Sequence, residues 1–313
     1  MSDFSLHTSV DGGFFREDNG RKFQAHNDDY VLPADQQELD RLDHQHYGFK
    51  ARQGGKNYLA PIKAVLGNDG RGKRILDVGT GSGIWAIEMA QEYPAAEVVG
   101  LDLAPVQKET VPENCRFEID DASKGLPFPD GTFDVVHARL LTVGIRHWRG
   151  LVNDMVRVLQ PGGLAVLVEM DGMLRLDGDI PLEQQREVAP GYTKFCDYLD
   201  MAIVKRGLDN LAGGSTIPQA LAQHPDLQDL EQVYAPLPFW PWSEDPQMRE
   251  AGRIMLGDSA EVPHACRLFI VDACEISMQQ YDEVTRGWFH DLGREGVHSI
   301  LPIWHNWAFK KVP

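Results

Sequence analysis

Between Arg74 and Trp85 the chain reads Arg-Ile-Leu-Asp-Val-Gly-Thr-Gly-Ser-Gly-Ile-Trp. A short apolar run meets three glycines spaced by two, and an apolar helical stretch, Ile84–Glu92, opens straight after them. Glycine at 79, 81 and 83 lets the backbone take φ values that a Cβ would forbid, and lets a ligand come close. The helix that follows aims its unpaired N–H groups at that ligand. Asp77, the last polar residue of the run, is placed to accept a hydrogen bond from an ammonium or hydroxyl above it. Three nucleotide-binding turns compete for such a segment. A P-loop requires Lys followed by Ser or Thr after its final glycine, and neither follows here. The dinucleotide fingerprint sets its third glycine at position 84, where Ile84 stands.

The segments after this turn alternate. Glu97–Leu103, Cys115–Ile119, Thr132–His137 and Leu164–Met170 read as strands. Trp148, Leu151, Met155, Val158 and Leu159 recur at helical spacing until Gln160-Pro161-Gly162-Gly163 stops them. Alternating strands and helices predict a parallel α/β sheet covered on both faces. Asp102 closes the second strand, where nucleotide-binding α/β folds place the acid that meets ribose hydroxyls. The third strand ends in Ile119-Asp120-Asp121-Ala122, with Leu126-Pro127-Phe128 behind it.

The layout Asp77-x-Gly79-x-Gly81-x-Gly83 resembles motif I of the class I S-adenosylmethionine-dependent methyltransferases. The Asp-Ala then Leu-Pro-Phe arrangement is similar to that family's adenine site, which implies that Asp121 takes the adenine amino group, with Asp120 as the neighbour it is confused with. Gly131–Arg139 and Leu159–Gly163 match the family in order and distance, so the resemblance spans residues 74–171. A narrower resemblance lies upstream. Tyr30-Val31-Leu32-Pro33-Ala34-Asp35, with Glu38, Asp40–Asp43 and Gln45-His46, looks like the lead-in of a fungal group that includes secondary-metabolism regulators of the velvet complex and enzymes of biosynthetic clusters. The aromatic C-terminal strand ending in Lys310-Lys311 fits that group too.

The resemblance implies a Rossmann-like fold with a mostly parallel seven-stranded sheet, helices on both faces, and lid helices at the N-terminus and in an insertion. It implies S-adenosylmethionine as cofactor, with contacts from Tyr30, Asp77, Gly79, Thr80, Gly81, Gly83, Asp102, Leu103, Asp121, Ala122 and Arg139. The expected organisation is an arm and lid helix over 1–55, the cofactor-binding core over 56–175, a helical lid insertion over 176–230, and the rest of the core with the last antiparallel strands over 231–313.

Outside the core the reading is coarser. Residues 1–30 are polar and predict a loose arm. Leu39, Leu42 and His46 share one face of a helix running from about 33 to 47, and a short helix is expected over 56–66. Residues 182–223 read as helical, broken at Pro190-Gly191 and Gly213-Gly214. Glu231–Phe239 reads as a strand, 265–290 as one long helix, and Ile303–Val312 as the last strand. Residues 30–50 and 175–225 are expected to close a lid over the transfer site.

For methyl transfer to oxygen the acceptor must lose a proton. The candidate bases are His46, His137 and His147, then Glu169 and Asp171, with Arg139 as partner for an acidic substrate group or for a helix terminus. Phe239-Trp240-Pro241-Trp242, Trp85 and Trp288 read first as core and second as walls for an aromatic acceptor.

Composition narrows the partners. With 30 Lys+Arg against 47 Asp+Glu the net charge is −17, which repels phosphate, so nucleic acid is not an expected partner. The Asn/Asp-Pro-Pro-Tyr signature of nucleic-acid amino methylation is absent after the fourth strand, where His137-Ala138-Arg139-Leu140 stands. The four cysteines lie far apart, as thiols in a reducing compartment do. The opening residues lack a secretory layout, and no apolar run approaches the roughly 18 residues of a membrane span. The expected protein is cytoplasmic, with the nucleus as the other compartment. The leading expectation is a methyltransferase acting on an oxygen of a small secondary metabolite or xenobiotic. A regulatory methyltransferase-like protein in a nuclear complex is the alternative, and a nicotinamide-dependent oxidoreductase, set back by Ile84, is third. A homodimer or a regulatory protein partner is open.

Overall fold

Strands with apolar side chains at successive positions must be covered on both faces, and the central sheet consists of such strands. The computed structural model describes residues 13–25, 27, 30, 32–105, 110–172, 175–178 and 180–313. A hairpin, β1 (Phe15–Asp18) and β2 (Arg21–Gln24), stands where a loose arm was expected, while residues 1–12 of that arm lie outside the described residues. Arg21 fastens the hairpin by two hydrogen bonds to Asp35, at 2.6 and 2.9 Å. Asp35 is also the N-cap of α1 (Gln36–Arg52), accepting from the Glu38 N–H at 3.1 Å. That helix runs one turn beyond the expected end.

The alternation then follows in the expected order, with the short helix confined to its second half and the last strand starting at Leu159, through the expected turn: α2 (Ile62–Leu66), β3 (Arg74–Val78), α3 (Ile84–Glu92), β4 (Glu97–Asp102), β5 (Cys115–Ile119), β6 (Phe133–Arg139), α4 (Trp148–Val158) and β7 (Leu159–Met170). After it come β8 (Arg175–Leu176), α5 (Leu182–Val188), α6 (Pro190–Lys205), α7 (Ile217–Gln223), β9 (Leu227–Tyr234), β10 (Leu237–Pro238), α8 (Pro246–Ala265), α9 (Arg267–Cys274), α10 (Met278–Asp291), β11 (Ser299–Leu301) and β12 (Ile303–Lys310).

The main sheet has seven strands in the order β5-β4-β3-β6-β7-β12-β9. β12 runs antiparallel to both its neighbours, and the pairs from β5 to β7 are parallel. One face packs on Trp85, Phe49 and Trp288, the other on Phe133, Met155 and Trp148. The Rossmann-like reading holds. Because β4 and β6 flank β3 on opposite sides, a crevice opens at the carboxyl ends of these strands, where ligands of open α/β sheets bind.

Two expectations need correction, and one element went unread. The segment 246–265 is a 20-residue helix, α8, that sequence periodicity did not reveal. Its buried face carries Gly252, Asp258, Ser259 and Pro263, so the apolar signal at helical period is diluted. The single helix expected over 265–290 is two: Glu275 adopts φ 54, ending α9, and Ser277 starts α10 with a capping box to Gln280. The strand expected over 231–239 divides into β9 and β10. All four cysteines are free, and among the described residues no helix is long and apolar enough to cross a membrane.

Candidate active site

The glycine turn adopts the backbone its sequence anticipates. Gly79, Gly81 and Gly83 have φ of 64, 56 and 78°, and Gly83 caps α3. At Gly79 a Cβ would overlap the Leu141 side chain, so glycine is required there twice over. Asp77 is buried beneath the turn. Its Oδ2 accepts from the Thr80 hydroxyl at 2.7 Å, and its Oδ1 lies 2.7 Å from Nδ1 of His137. Both oxygens therefore brace the turn and the neighbouring strand, where the sequence suggested a bond to a ligand.

Asp102, at the tip of β4, accepts from the N–H groups of Gly81 and Leu103, each at 2.8 Å. Burial raises its pKa to about 6 against these bonds. Asp121 follows β5, and its Oδ1 accepts from the Ser123 N–H at 3.0 Å and hydroxyl at 2.6 Å. Its Oδ2 meets Asn27 at 3.1 Å and the exposed Lys124 at 3.0 Å. The segment before and within α1 thus covers the strand tips. Tyr30 packs against Gly144, Leu42 sits over Gly81, and Asp43 accepts from the Ser82 hydroxyl at 2.7 Å.

On the other side, Glu169 at the end of β7 holds the loop that closes over Gly79. Its Oε2 accepts from the N–H groups of Leu141 at 2.6 Å and Thr142 at 3.1 Å, and its Oε1 from Met170 at 2.8 Å. Leu140, at the start of that loop, takes a left-handed φ of 55°.

Three candidate catalytic side chains occupy one face of this region. His137 is 3% exposed and stacks on Trp85, with ring centroids 3.8 Å apart and planes inclined by 12°. Burial lowers its pKa, opposed by the Asp77 bond, so the ring is neutral with Nδ1–H donating to Asp77. Nε2 is then the basic atom. Arg139 carries no carboxylate within ion-pair distance among the described residues; its guanidinium lies 4.8 Å over the Phe49 ring and 3.2 Å from Nδ1 of His46. Burial lowers its pKa to about 10, and it remains charged. His46 accepts from Arg139 at Nδ1 and donates from Nε2 to Glu88 at 3.2 Å, which fixes one neutral tautomer. His46 does not line the cavity; it stands behind Arg139. His147 is exposed at the start of α4.

His137 and Arg139 border a cavity of about 210 Å³. The strand tips supply Asp77, Gly79, Thr80, Gly81, Asp102, Leu103, Asp120, Asp121, Ala122, His137 and Arg139, and the N-terminal cover supplies Tyr30, Leu32, Arg41, Leu42 and Gln45. Gly83 is not among the walls. Of residues 175–225, Leu199 reaches it. The larger contribution comes from α8 and its end, with Asp258, Val262, Ala265 and Cys266, joined by Phe239 and Leu301. Sequence reading missed Arg41, Asp258 and Asn27 as site residues, because each reaches the strand tips only through tertiary packing. Of the aromatic cluster, Trp85 and Phe239 face the cavity, whereas Trp240 and Trp242 donate to the Val297 and Ser299 carbonyls at 2.6 and 3.2 Å, and Trp288 is buried.

The donor set suits an adenosyl sulfonium. Acceptor oxygens stand at the tips of β4 and β5 for ribose hydroxyls and the adenine amine, apolar Leu103, Ala122 and Ile145 line the space between, and Arg139 complements a carboxylate. The glycine turn beneath presents backbone alone.

Residues 46–201 match a family described as a methyltransferase domain. The chain is similar to the methyltransferase pytC of Aspergillus terreus, 31% identical over 241 residues that cover 76% of this chain and 69% of that protein. It is also similar to the secondary metabolism regulator laeA of Aspergillus flavus, 33% identical over 242 residues covering 76% of this chain and 62% of that one. Among solved structures it resembles phosphoethanolamine N-methyltransferase 2 of Haemonchus contortus in complex with S-adenosyl-L-methionine, at a TM-score of 0.47 and 20% identity, covering 93% of this chain and 62% of the other. The chain belongs to the class I S-adenosylmethionine-dependent methyltransferases, in the group of fungal secondary-metabolism proteins to which pytC and laeA belong, and S-adenosylmethionine is its cofactor.

Proposed function

We propose that this methyltransferase acts on an oxygen of a small, largely apolar molecule, in the cytoplasm. The observation that carries this reading is the Asp77–His137 pair at the border of a covered cavity whose far wall is mostly apolar. When bound, S-adenosylmethionine supplies an electrophilic methyl group on a sulfonium, open to in-line displacement. The chain's own work is to hold both partners in line and to accept a proton. Asp102 takes the ribose hydroxyls, Asp121 and the Ala122 N–H take the adenine edge, and Arg139 takes the carboxylate of the amino-acid tail. Asp77 fixes the tautomer of His137, whose Nε2 receives the acceptor's hydroxyl proton. His46 orients Arg139 from behind.

Alignment supplies the larger share of the rate, of the order of 7–11 kcal/mol in well-positioned systems. A positioned base adds roughly 10²–10⁴-fold. The walls that α1 and α8 supply displace water there, which strengthens the polar contacts inside.

The test is transfer of label from S-adenosylmethionine to a panel of phenols, carboxylic acids and amines. Label on phenols or alcohols supports the reading. Label on amines alone, or only on a co-purifying protein, contradicts it.

A further inference from the structure

The side of the cavity walled by α1 and α8 contains a charge imbalance. Arg41 on α1 is held from both sides: Glu38 accepts from its Nε at 3.0 Å and Nη2 at 2.6 Å, and Asp258 Oδ1 accepts from its Nη1 at 2.7 Å. Two carboxylates thus share one guanidinium, and all three side chains are buried. Asp258 is 0% exposed, and its second oxygen, Oδ2, has no hydrogen-bond partner among the described residues.

An unpaired carboxylate oxygen out of water is costly unless a donor arrives. Asp258 also lines the cavity. Val262, Ala265 and Cys266 line it as well, at four, seven and eight residues further on, so one face of α8 forms this wall. Leu199, Phe239 and Leu301 line the cavity too. The α8 wall is apolar apart from Asp258, whose free oxygen lies buried at it, and Glu38 and Asp258 together outweigh the Arg41 charge.

We propose that Asp258 Oδ2 is the recognition atom for the methyl acceptor, receiving a hydrogen bond from a hydroxyl other than the one methylated, on an otherwise apolar skeleton, and rejecting carboxylic acids. This rests on the small-molecule reading above and narrows it from oxygen acceptors in general to neutral hydroxyl compounds. Burial raises Asp258 to about 6, with Arg41 opposing, so the group is ionised at neutral pH and accepts only. A carboxylate ligand at that wall meets like charge, and an ether lacks the proton to give.

Binding to protein saturated with S-adenosylhomocysteine tests this without methyl transfer. The probes are 2-naphthol, 2-methoxynaphthalene and 2-naphthoic acid, titrated calorimetrically. The wild type is expected to bind the naphthol at least about tenfold more tightly than the ether or the acid, the worth of one hydrogen bond to a charged group. Asp258→Asn keeps an oxygen for Arg41 and removes the free acceptor, so it should erase that preference while S-adenosylhomocysteine affinity stays within about threefold. Equal binding of the three probes to the wild type, or no naphthol binding, overturns the proposal whether or not the variant folds. A preference that survives in Asp258→Asn overturns it too, and a variant that loses S-adenosylhomocysteine affinity instead assigns Asp258 to the cofactor. Transfer is read on 2,7-dihydroxynaphthalene, whose second hydroxyl is free for His137: if the naphthol binds as expected but the diol receives no label from S-adenosylmethionine, the transfer reading fails and the recognition site stands.

Discussion

Nδ1 of His137 and Oδ1 of Asp77 lie 2.7 Å apart, and the two residues sit directly opposite one another in the parallel register of β3 and β6. The carboxylate fixes the proton on Nδ1, which leaves the Nε2 lone pair as the base, and Trp85 keeps the ring in plane. His137→Gln is expected to lower kcat on a phenol by about 10²–10⁴-fold. Affinity for S-adenosylhomocysteine should stay within about threefold, since the proposed cofactor contacts are at Asp102, Asp121 and Arg139. The His137 pKa lies below its ordinary 6.5, so wild-type kcat should stay level above that pH and fall as the ring protonates below it. Steady-state kinetics across pH check both. An unchanged kcat in His137→Gln removes the base assignment.

Asp102 gives the cofactor a pH dependence. Its pKa is raised to about 6, and only the ionised form can accept from both backbone N–H groups and a ribose hydroxyl. The dissociation constant for S-adenosylhomocysteine should therefore rise as pH falls through 6. Asp102→Asn should bind weakly at every pH, with that dependence gone. Calorimetry above and below this value reads it directly.

Glu169 carries a stability prediction. Burial raises its pKa from 4.5 to about 7, so the folded state holds the proton more tightly than the unfolded chain does. Its contribution is fully present below pH 4.5 and is lost as pH climbs through 7. Glu169→Gln mimics the protonated group and removes that slope. Urea unfolding of both proteins over this range should show the stability of the variant gaining on the wild type with rising pH; parallel curves would contradict it.

Two glycines with similar φ separate strain from crowding. Gly72 has φ 70° with nothing within 4 Å of an added Cβ, whereas Gly79 has φ 64° and an added Cβ that strikes Leu141. Gly72→Ala should cost only the left-handed strain, about 1–2 kcal/mol. Gly79→Ala should cost more and also displace the Leu141 loop, so S-adenosylhomocysteine affinity falls. Thermal unfolding with and without the ligand distinguishes them.

The strand tips were legible because their chemistry is local. Glycines at 79, 81 and 83, and acids at 77, 102 and 121, each mark a strand end by the backbone or charge it needs there. The break between α9 and α10 was also legible in principle, since Ser277 and Gln280 have the spacing of a capping box. The acceptor wall was not. Asp258 reads as one polar residue in a segment of mixed character, and its meaning arises when α8 crosses α1 and sets it on Arg41, far away in the chain. His46 shows the same division: helical spacing turned it inward, but Glu88 and Arg139, which hold it behind the cavity wall, come from other elements.

Calorimetric titration of the purified chain with S-adenosylhomocysteine, beside a nicotinamide dinucleotide, addresses the foundation of all this. The expected result is one molecule of the adenosyl compound per chain, binding weakened at least about tenfold in Asp102→Ala, and no heat from the dinucleotide. Silence with the adenosyl compound and binding of the dinucleotide would contradict the assignment of the strand tips.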